Sequence, residues 1–340
     1  MRTLDDMEDS ARVGVGPDLL TDPGWVVPPV PEDVPEGTMA WLRARVARFS
    51  SGGAHVRRRA LAAEALGSLG ALGALGGPDV NAEALRDTAR IRARELLSAP
   101  GTVEVMTRVA RVVPAEVLAT SLGLRVTADT AALVGDVAGA YHAHGETVPA
   151  ADRALTRLVA DCGGTWDEAT AARIGLLVQA YDATAGLIGN AAYLALTGPA
   201  PGPSPGPPEA PVVAPTTDSV ADPAPDSVAN PAPDPLTAPA ADLAADLLAR
   251  TLRTDPPVRG TLRAPVDGGE PVRVGLVTPD GSLAFGAGAH ACPGHAHARA
   301  LAAGVLDALL ALGCRLVRPG IAYEPSVNLR VPVALEVTWA

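Results

Sequence analysis

Apolar residues recur at helical spacing through most of the chain before residue 199. The runs 39–49, 54–76, 82–98, 103–122 and 166–196 carry Ala, Leu, Val and Arg in that pattern, which predicts a helix over each. A further helical run follows at 240–253, and then β-branched residues cluster near 271–277. A helix is predicted over 296–312, and from Arg315 to Trp339 apolar residues alternate, punctuated by Pro319-Gly320 and Pro325. Helices first and strands late predict a mainly α fold with a small β part, an α+β class rather than alternating βαβ units. The long run from Ile174 to Leu196 contains Gln179, Asp182, Thr184 and Asn190 near its middle. A mid-bilayer Asp costs about 2.5 to 3.5 kcal/mol, so a buried helix is expected and no membrane span.

Proline breaks the pattern once. Residues 199–239 hold 14 of the 33 prolines, no basic residue and no aromatic one, and Asp218-Ser-Val-Ala-Asp-Pro-Ala-Pro returns as Asp226-Ser-Val-Ala-Asn-Pro-Ala-Pro. Such a segment buries too little apolar surface to offset its ordering entropy. It reads as a disordered linker between residues 1–198 and 240–340, two parts of one domain. Charge and cysteine content narrow the function classes. A formal net charge of −11 argues against a generic nucleic-acid binder. All 27 basic residues are Arg, a bias that runs through the whole chain. The acidic N-terminus does not resemble a secretory signal, and the three cysteines, Cys162, Cys292 and Cys314, have no framework spacing. A cytoplasmic, reducing location is expected.

Chemistry concentrates in Phe285-Gly-Ala-Gly-Ala-His-Ala-Cys-Pro-Gly294. Gly286, Gly288 and Gly294 permit tight turns and close backbone approach, and an Ala-rich helix follows. Cys292 therefore falls at the mouth of a helix N-terminus, where free N–H groups and the helix dipole favour thiolate over thiol. Two other readings of these residues are an inert buried thiol, or a zinc site built from His290, Cys292, His295 and His297.

This loop resembles the heme-binding loop of the cytochrome P450 family, Phe-Gly-x-Gly-x-His-x-Cys-x-Gly, at Phe285, Gly286, Gly288, His290, Cys292 and Gly294. The resemblance implies a P450-like fold, heme b as cofactor and Cys292 as the iron ligand, a thiolate that pushes electron density onto the metal. It extends, with gaps, over most of the chain outside the linker. His55 and Arg59 match the family's His-x-x-x-Arg, whose partners are the heme propionates, and as an i, i+4 pair they share a helical face. By the same resemblance Arg263 and His290 also bind propionates. Leu177 to Asn190 resembles the family's central helix, with Asp182 at the position of its acid. Ala183 stands where the family carries a proton-delivering Thr, and Thr184, about 100° further round, would substitute only in a locally irregular helix.

Other departures follow the linker. Arg250-Thr-Leu-Arg253 resembles the family's Glu-x-x-Arg pair, yet Arg250 occupies the Glu position, with Asp246 one turn before it as a partial replacement. The intervals from Arg253 to Phe285 and from Leu124 to Ile174 are both short, which implies deletions and a reduced distal cover. The expected protein is a reduced, divergent heme-thiolate monooxygenase acting on a small or carrier-bound metabolite. Asp182 and Thr184 are its candidate catalytic residues, and a ferredoxin-type partner would dock near Arg299, Arg315 and Arg318. Ala183 motivates a peroxide-driven or redox-neutral variant. The alternative is a heme-free helper that activates another enzyme, such as a glycosyltransferase.

Overall fold

The computed structural model describes residues 16–68, 78–141, 148–198 and 242–340. The proline-rich segment 199–239 lies outside them, as do the last residues of the helix expected over 54–76. Nine α-helices are formed among the described residues. They are α1 (Met39–Arg45), α2 (Gly52–Ser68), α3 (Pro78–Leu96), α4 (Val112–Ser121), α5 (Thr130–Tyr141), α6 (Pro149–Asp161), α7 (Glu168–Thr197), α8 (Leu243–Thr254) and α9 (His295–Ala311). Six short strands make two antiparallel sheets. In one, β3 (Gly260–Pro265) lies between β1 (Trp25–Val26) and β4 (Val272–Gly275). In the other, β6 (Glu336–Trp339) lies between β2 (Gly101–Glu104) and β5 (Arg315–Leu316).

The centre of the molecule is α7. Its N-cap Asp167 accepts a hydrogen bond from the Thr170 N–H at 2.7 Å, satisfying one of the donors a helix start leaves open. Ala-rich composition and the absence of proline carry it through 30 residues. Ile174, Leu177, Val178, Leu187, Ile188 and Ala191 are buried along it, and α2, α5, α8 and α9 pack around it. Small residues set the closest approaches. A Cβ at Gly186 would meet Pro257 at 2.9 Å, and one at Gly189 would meet the Met106 sulfur at 2.6 Å. Buried Asn190 then donates from Nδ2 to the carbonyls of Asp255 (3.1 Å) and Arg330 (3.3 Å), fixing two later loops to the helix. Among the described residues no helix is long and apolar enough to cross a membrane.

Several elements depart from the sequence reading. The run 103–122 is divided: β2 ends at Glu104, a π-helical turn spans Met106–Ala110, and α4 begins at Val112. Arg111 N–H bonds back to Met106 at 3.1 Å across this turn, and Pro114, which has no N–H to give, is placed in the first turn of α4, where none is needed. Helices α5 and α6 fill the interval after Leu124. Ala151, Ala154, Leu155, Leu158 and Val159 of α6 are all buried, a helical stripe whose spacing is legible in the sequence. The expected β pattern from Arg315 to Trp339 forms strands only at its two ends, with a single bridge between Tyr323 and Pro332 inside it; the intervening prolines cannot donate to a ladder.

Two contacts between distant segments hold the frame. A Cβ on Gly304 of α9 would lie 2.1 Å from the Arg86 carbonyl of α3, so these helices touch backbone to backbone. Arg86 itself pairs with Asp307 of α9 and with Asp242, the N-cap of α8. At the start of α7, Arg57 and Arg58 of α2 both bond Glu168, at 2.7 and 2.9 Å, and hold its carboxyl down to about 2. Gly304→Val is expected to destabilise the protein by about 1 to 3 kcal/mol or more through overpacking, read as a lower urea midpoint. Because the Glu168 pKa is depressed on folding, its stabilisation is complete above the unfolded carboxylate range and is lost as pH falls towards 2. Glu168→Gln is therefore expected to be less stable than wild type at pH 7 and to converge with it near pH 2 in urea titrations.

Candidate functional site

The loop after β4 closes on itself before α9 starts. Cys292 N–H donates to the Phe285 carbonyl at 2.8 Å, and Gly286 and Gly288 adopt positive φ of 71° and 66°. A Cβ at Gly288 would stand 2.5 Å from the Leu20 carbonyl, so glycine is required there on two grounds. Gly294 is the N-cap of α9. Cys292 lies two residues before that cap, half-buried, with its sulfur on the wall of a cleft. Counting its open mouth, the cleft encloses about 1920 Å³ unfilled by protein atoms.

Three other segments meet at this cleft. Helix α2 presents His55 and Arg59, strand β3 presents Arg263, and the short turn Ala47–Phe49 presents Arg48. The His55 and His290 rings stack at a tilt with centroids 4.1 Å apart. The fourth wall is the face of α7 that carries Gln179, Ala180, Asp182, Ala183, Thr184 and Leu187. Thus Phe285, Gly286, His290, Cys292, Gly294, His55, Arg59, Arg263, Asp182 and Thr184 all line one cleft. Gly288 does not line it and instead anchors the loop on Leu20. Arg48 was not found from the sequence, because one Arg among many in a run of helical spacing carries no distinguishing signal.

The electrostatics of the cleft are one-sided. Arg263 is 3% exposed, yet its hydrogen bonds reach only the Thr261 hydroxyl and the Leu262 carbonyl. Neither Arg48 nor Arg59 has an ion-pair partner among the described residues, and burial lowers the pKa of all three arginines. His290 is pushed down to about 3, first by burial and then by His55, Arg263, Arg48 and Arg59. His55 is lowered by burial and then by Arg59, and its buried Nε2 has no hydrogen-bond partner among the described residues. Among the described residues the only acid lining the cleft is Asp182, and Arg111 holds it at 3.1 Å while also bonding Glu324 at 2.6 Å. A cluster of desolvated cations without a carboxylate is costly unless an anion completes it. The cleft thus gathers three arginines without an acid partner among the described residues.

Cysteine and helix details correct two expectations. The Cys292 thiol is raised above its ordinary pKa, not lowered: burial outweighs the opposing pull of the Gly294 N–H and Arg59. A bound metal would deprotonate it outright. Helix α7 is uninterrupted through residues 179–184, so no irregularity is needed to bring Thr184 to the cleft, where it is 1% exposed. The Thr251 hydroxyl bonds back to Leu247 at 2.8 Å, as threonines in helices commonly do. Thr184 makes no such bond among the described residues. Arg250 and Arg253 are both exposed, and neither they nor Asp246 form an ion pair among the described residues, so Asp246 does not replace the missing acid. Among the described residues no group of three or more His, Cys, Asp or Glu side chains could hold a metal, which leaves the zinc reading without a ligand set.

A helical body around one long central helix, two small sheets and a cysteine loop opposite that helix define the cytochrome P450 fold. Comparison with solved structures agrees. P450BioI, in complex with hexadec-9Z-enoic acid ligated acyl carrier protein, is 19% identical over 98% of this chain and 91% of its own, with a TM-score of 0.66. CYP154A1 from Streptomyces coelicolor A3(2) is 21% identical over 95% and 89%, with a TM-score of 0.62. The myxobacterial CYP267B1, in complex with myristic acid, is 16% identical over 95% and 87%, with a TM-score of 0.63. No family model matches the sequence, and no curated protein does. The chain is a divergent protein with the fold of the bacterial cytochromes P450.

Burial and the neighbouring cations should keep His290 neutral in the protein without cofactor. Its ring proton shifts are expected to stay flat from pH 8 to about pH 4.5 in an NMR titration, whereas an unperturbed histidine changes near 6.5.

Proposed function

We propose that this chain is a heme-thiolate oxidoreductase. The observation that supports this most strongly is the juxtaposition in one cleft of Cys292 with a buried set of cations that lacks any carboxylate of its own. That donor set fits heme b: a soft sulfur for the iron, and Arg59, Arg263, His55 and His290 for the propionates. Arginine's forked donors suit a carboxylate, and the orphaned His55 Nε2 gains a partner when one is present. When bound, the group supplies thiolate-promoted O–O cleavage and hence oxygen insertion or related oxidation.

The remaining work falls to the protein. Phe285 packs 5.9 Å from the His295 ring, with Arg299 5.4 Å from its own ring, bracing the cysteine loop. Asp182 is raised in pKa by burial against the pull of Arg111, which places a protonatable carboxyl on the distal wall. The Thr184 hydroxyl, two residues further along α7 and also lining the cleft, orients water in place of the hydroxyl that Ala183 lacks, so Asp182 and Thr184 move protons to the reacting site. Val46, Leu176 and Val178 of the wall are apolar and exclude water from a small organic substrate. A carrier-tethered substrate draws support from the solved structure of P450BioI with a loaded acyl carrier protein. Reducing equivalents would come from a ferredoxin-type partner at the cysteine side, near Arg299, Arg315 and Arg318, or be bypassed by peroxide.

The exposed Arg250, where the family carries the acid of an ion pair, favours the second reading, a helper that has lost turnover. The reduced, carbon monoxide-treated absorption spectrum of the purified protein separates the two. Heme with a thiolate-type Soret band is expected in wild type, and Cys292→Ser should lose that band or the heme itself. A colourless wild type would leave the helper reading standing.

A further inference from the structure

Asp182 lines the cleft, yet the side chain that bonds it does not. Its Oδ1 accepts from Arg111 at 3.1 Å, and among the described residues Oδ2 has no hydrogen-bond partner. The Nη2 group of the same guanidinium reaches Glu324 Oε1 at 2.6 Å. One cation therefore serves two carboxylates, and the shorter, stronger bond goes to Glu324. Glu324 meets solvent with 36% of its side chain exposed, whereas Arg111, at 15%, sits where water screens the attraction only in part.

Both partners are placed by segments that α7 itself holds. Arg111 follows the π-helical turn Met106–Ala110, and Met106 packs so closely on α7 that a Cβ at Gly189 would stand 2.6 Å from its sulfur. Glu324 lies beside the Tyr323–Pro332 bridge, where its N–H donates to the Val331 carbonyl at 2.9 Å. Asn190 ties that loop to α7 through the Arg330 carbonyl. Other titratable groups near the cluster are Tyr181, whose ring centroid is 5.9 Å from the Arg111 guanidinium, and Asp136 of α5, whose charge Tyr181 feels. On the cleft side stand Arg48, Arg59, Arg263, His55 and His290. Around the rest of α7, Arg57 and Arg58 are engaged by Glu168, and Asp307 by Arg86. We propose that Glu324 is a positioning residue for Asp182: by taking the stronger bond from Arg111 it leaves the Asp182 carboxyl loosely held, free to gain and lose the proton it delivers to the cleft. This deepens the heme-thiolate reading and rests on it, since that reading gives Asp182 its task. Without Glu324 the guanidinium would serve Asp182 alone, a pairing that favours the carboxylate over the acid. The charge of Glu324 acts in the same direction as its grip on Arg111, raising Asp182.

The test has two arms, both on the full chain. In the first, aspartate carboxyl carbons are isotope-labelled in the protein without cofactor, and the Asp182 NMR signal is assigned by its absence in Asp182→Asn. Its titration midpoint is expected to fall by about 1 pH unit in Glu324→Gln, to move less in Glu324→Asp, and to rise in Arg111→Gln. In the second, the protein is loaded with heme, and peroxide-driven oxidation of a chromogenic dye is followed across pH. The limb of the rate profile that Asp182→Asn abolishes is expected to shift down in Glu324→Gln together with the midpoint, while KM for the dye stays as in wild type. A midpoint that is unmoved or raised in Glu324→Gln overturns the inference, and so does a rate profile that fails to follow a lowered midpoint. A wild type that takes up no heme overturns the heme-thiolate reading and this inference together, whereas heme uptake with an unmoved midpoint overturns this inference alone.

Discussion

The structure is organised around uncompensated positive charge. Arg48, Arg59 and Arg263 are brought from a turn, a helix and a strand to one desolvated cleft, and no acid among the described residues pairs with them there. Folding such a cluster is unfavourable by itself, because each guanidinium gives up water without gaining a partner. The lowered pKa values of His55 and His290 express the same field. An anion bound there would offset this cost and add to the stability of the protein by linkage.

Elsewhere several of the arginines that join one helix to another are paired with acids. Arg57 and Arg58 are paired by Glu168, Arg86 by Asp242 and Asp307, and Arg111 by Asp182 and Glu324. The arginines of the cleft differ from these helix-joining pairs in having no acid beside them among the described residues. Helix α7 links the two regimes. One end is pinned by Glu168 and the middle by Gly186, Gly189 and Asn190, while its exposed-to-cleft face carries Asp182 and Thr184. Rigid support of this wall holds both side chains in place where they line the cleft.

Much of the fold was legible in the sequence where periodicity was long. The helices equivalent to α2, α3, α7, α8 and α9 follow from apolar spacing, with boundaries shifted by a few residues. The split of 103–122 into strand, π-turn and helix was not legible, since the spacing of Val103, Val105, Val109 and Val113 suits more than one element and only pairing with β6 decides it. Helix α6 was readable from the spacing of Ala151, Leu155, Leu158 and Val159 but was not among the runs assigned to helices.

The site divides along the same line. By itself the sequence determined the cysteine loop, because positive φ at Gly286 and Gly288 and a helix start at Gly294 are local demands that glycine alone meets cheaply. It also determined the His55 and Arg59 pair, whose shared face follows from helix geometry. Only the tertiary structure decided that Arg48 joins them, that Arg111 holds Asp182, and that Cys292 is buried enough to resist ionisation. Charge and desolvation depend on which distant segments meet, and that information resides in no single stretch of the chain.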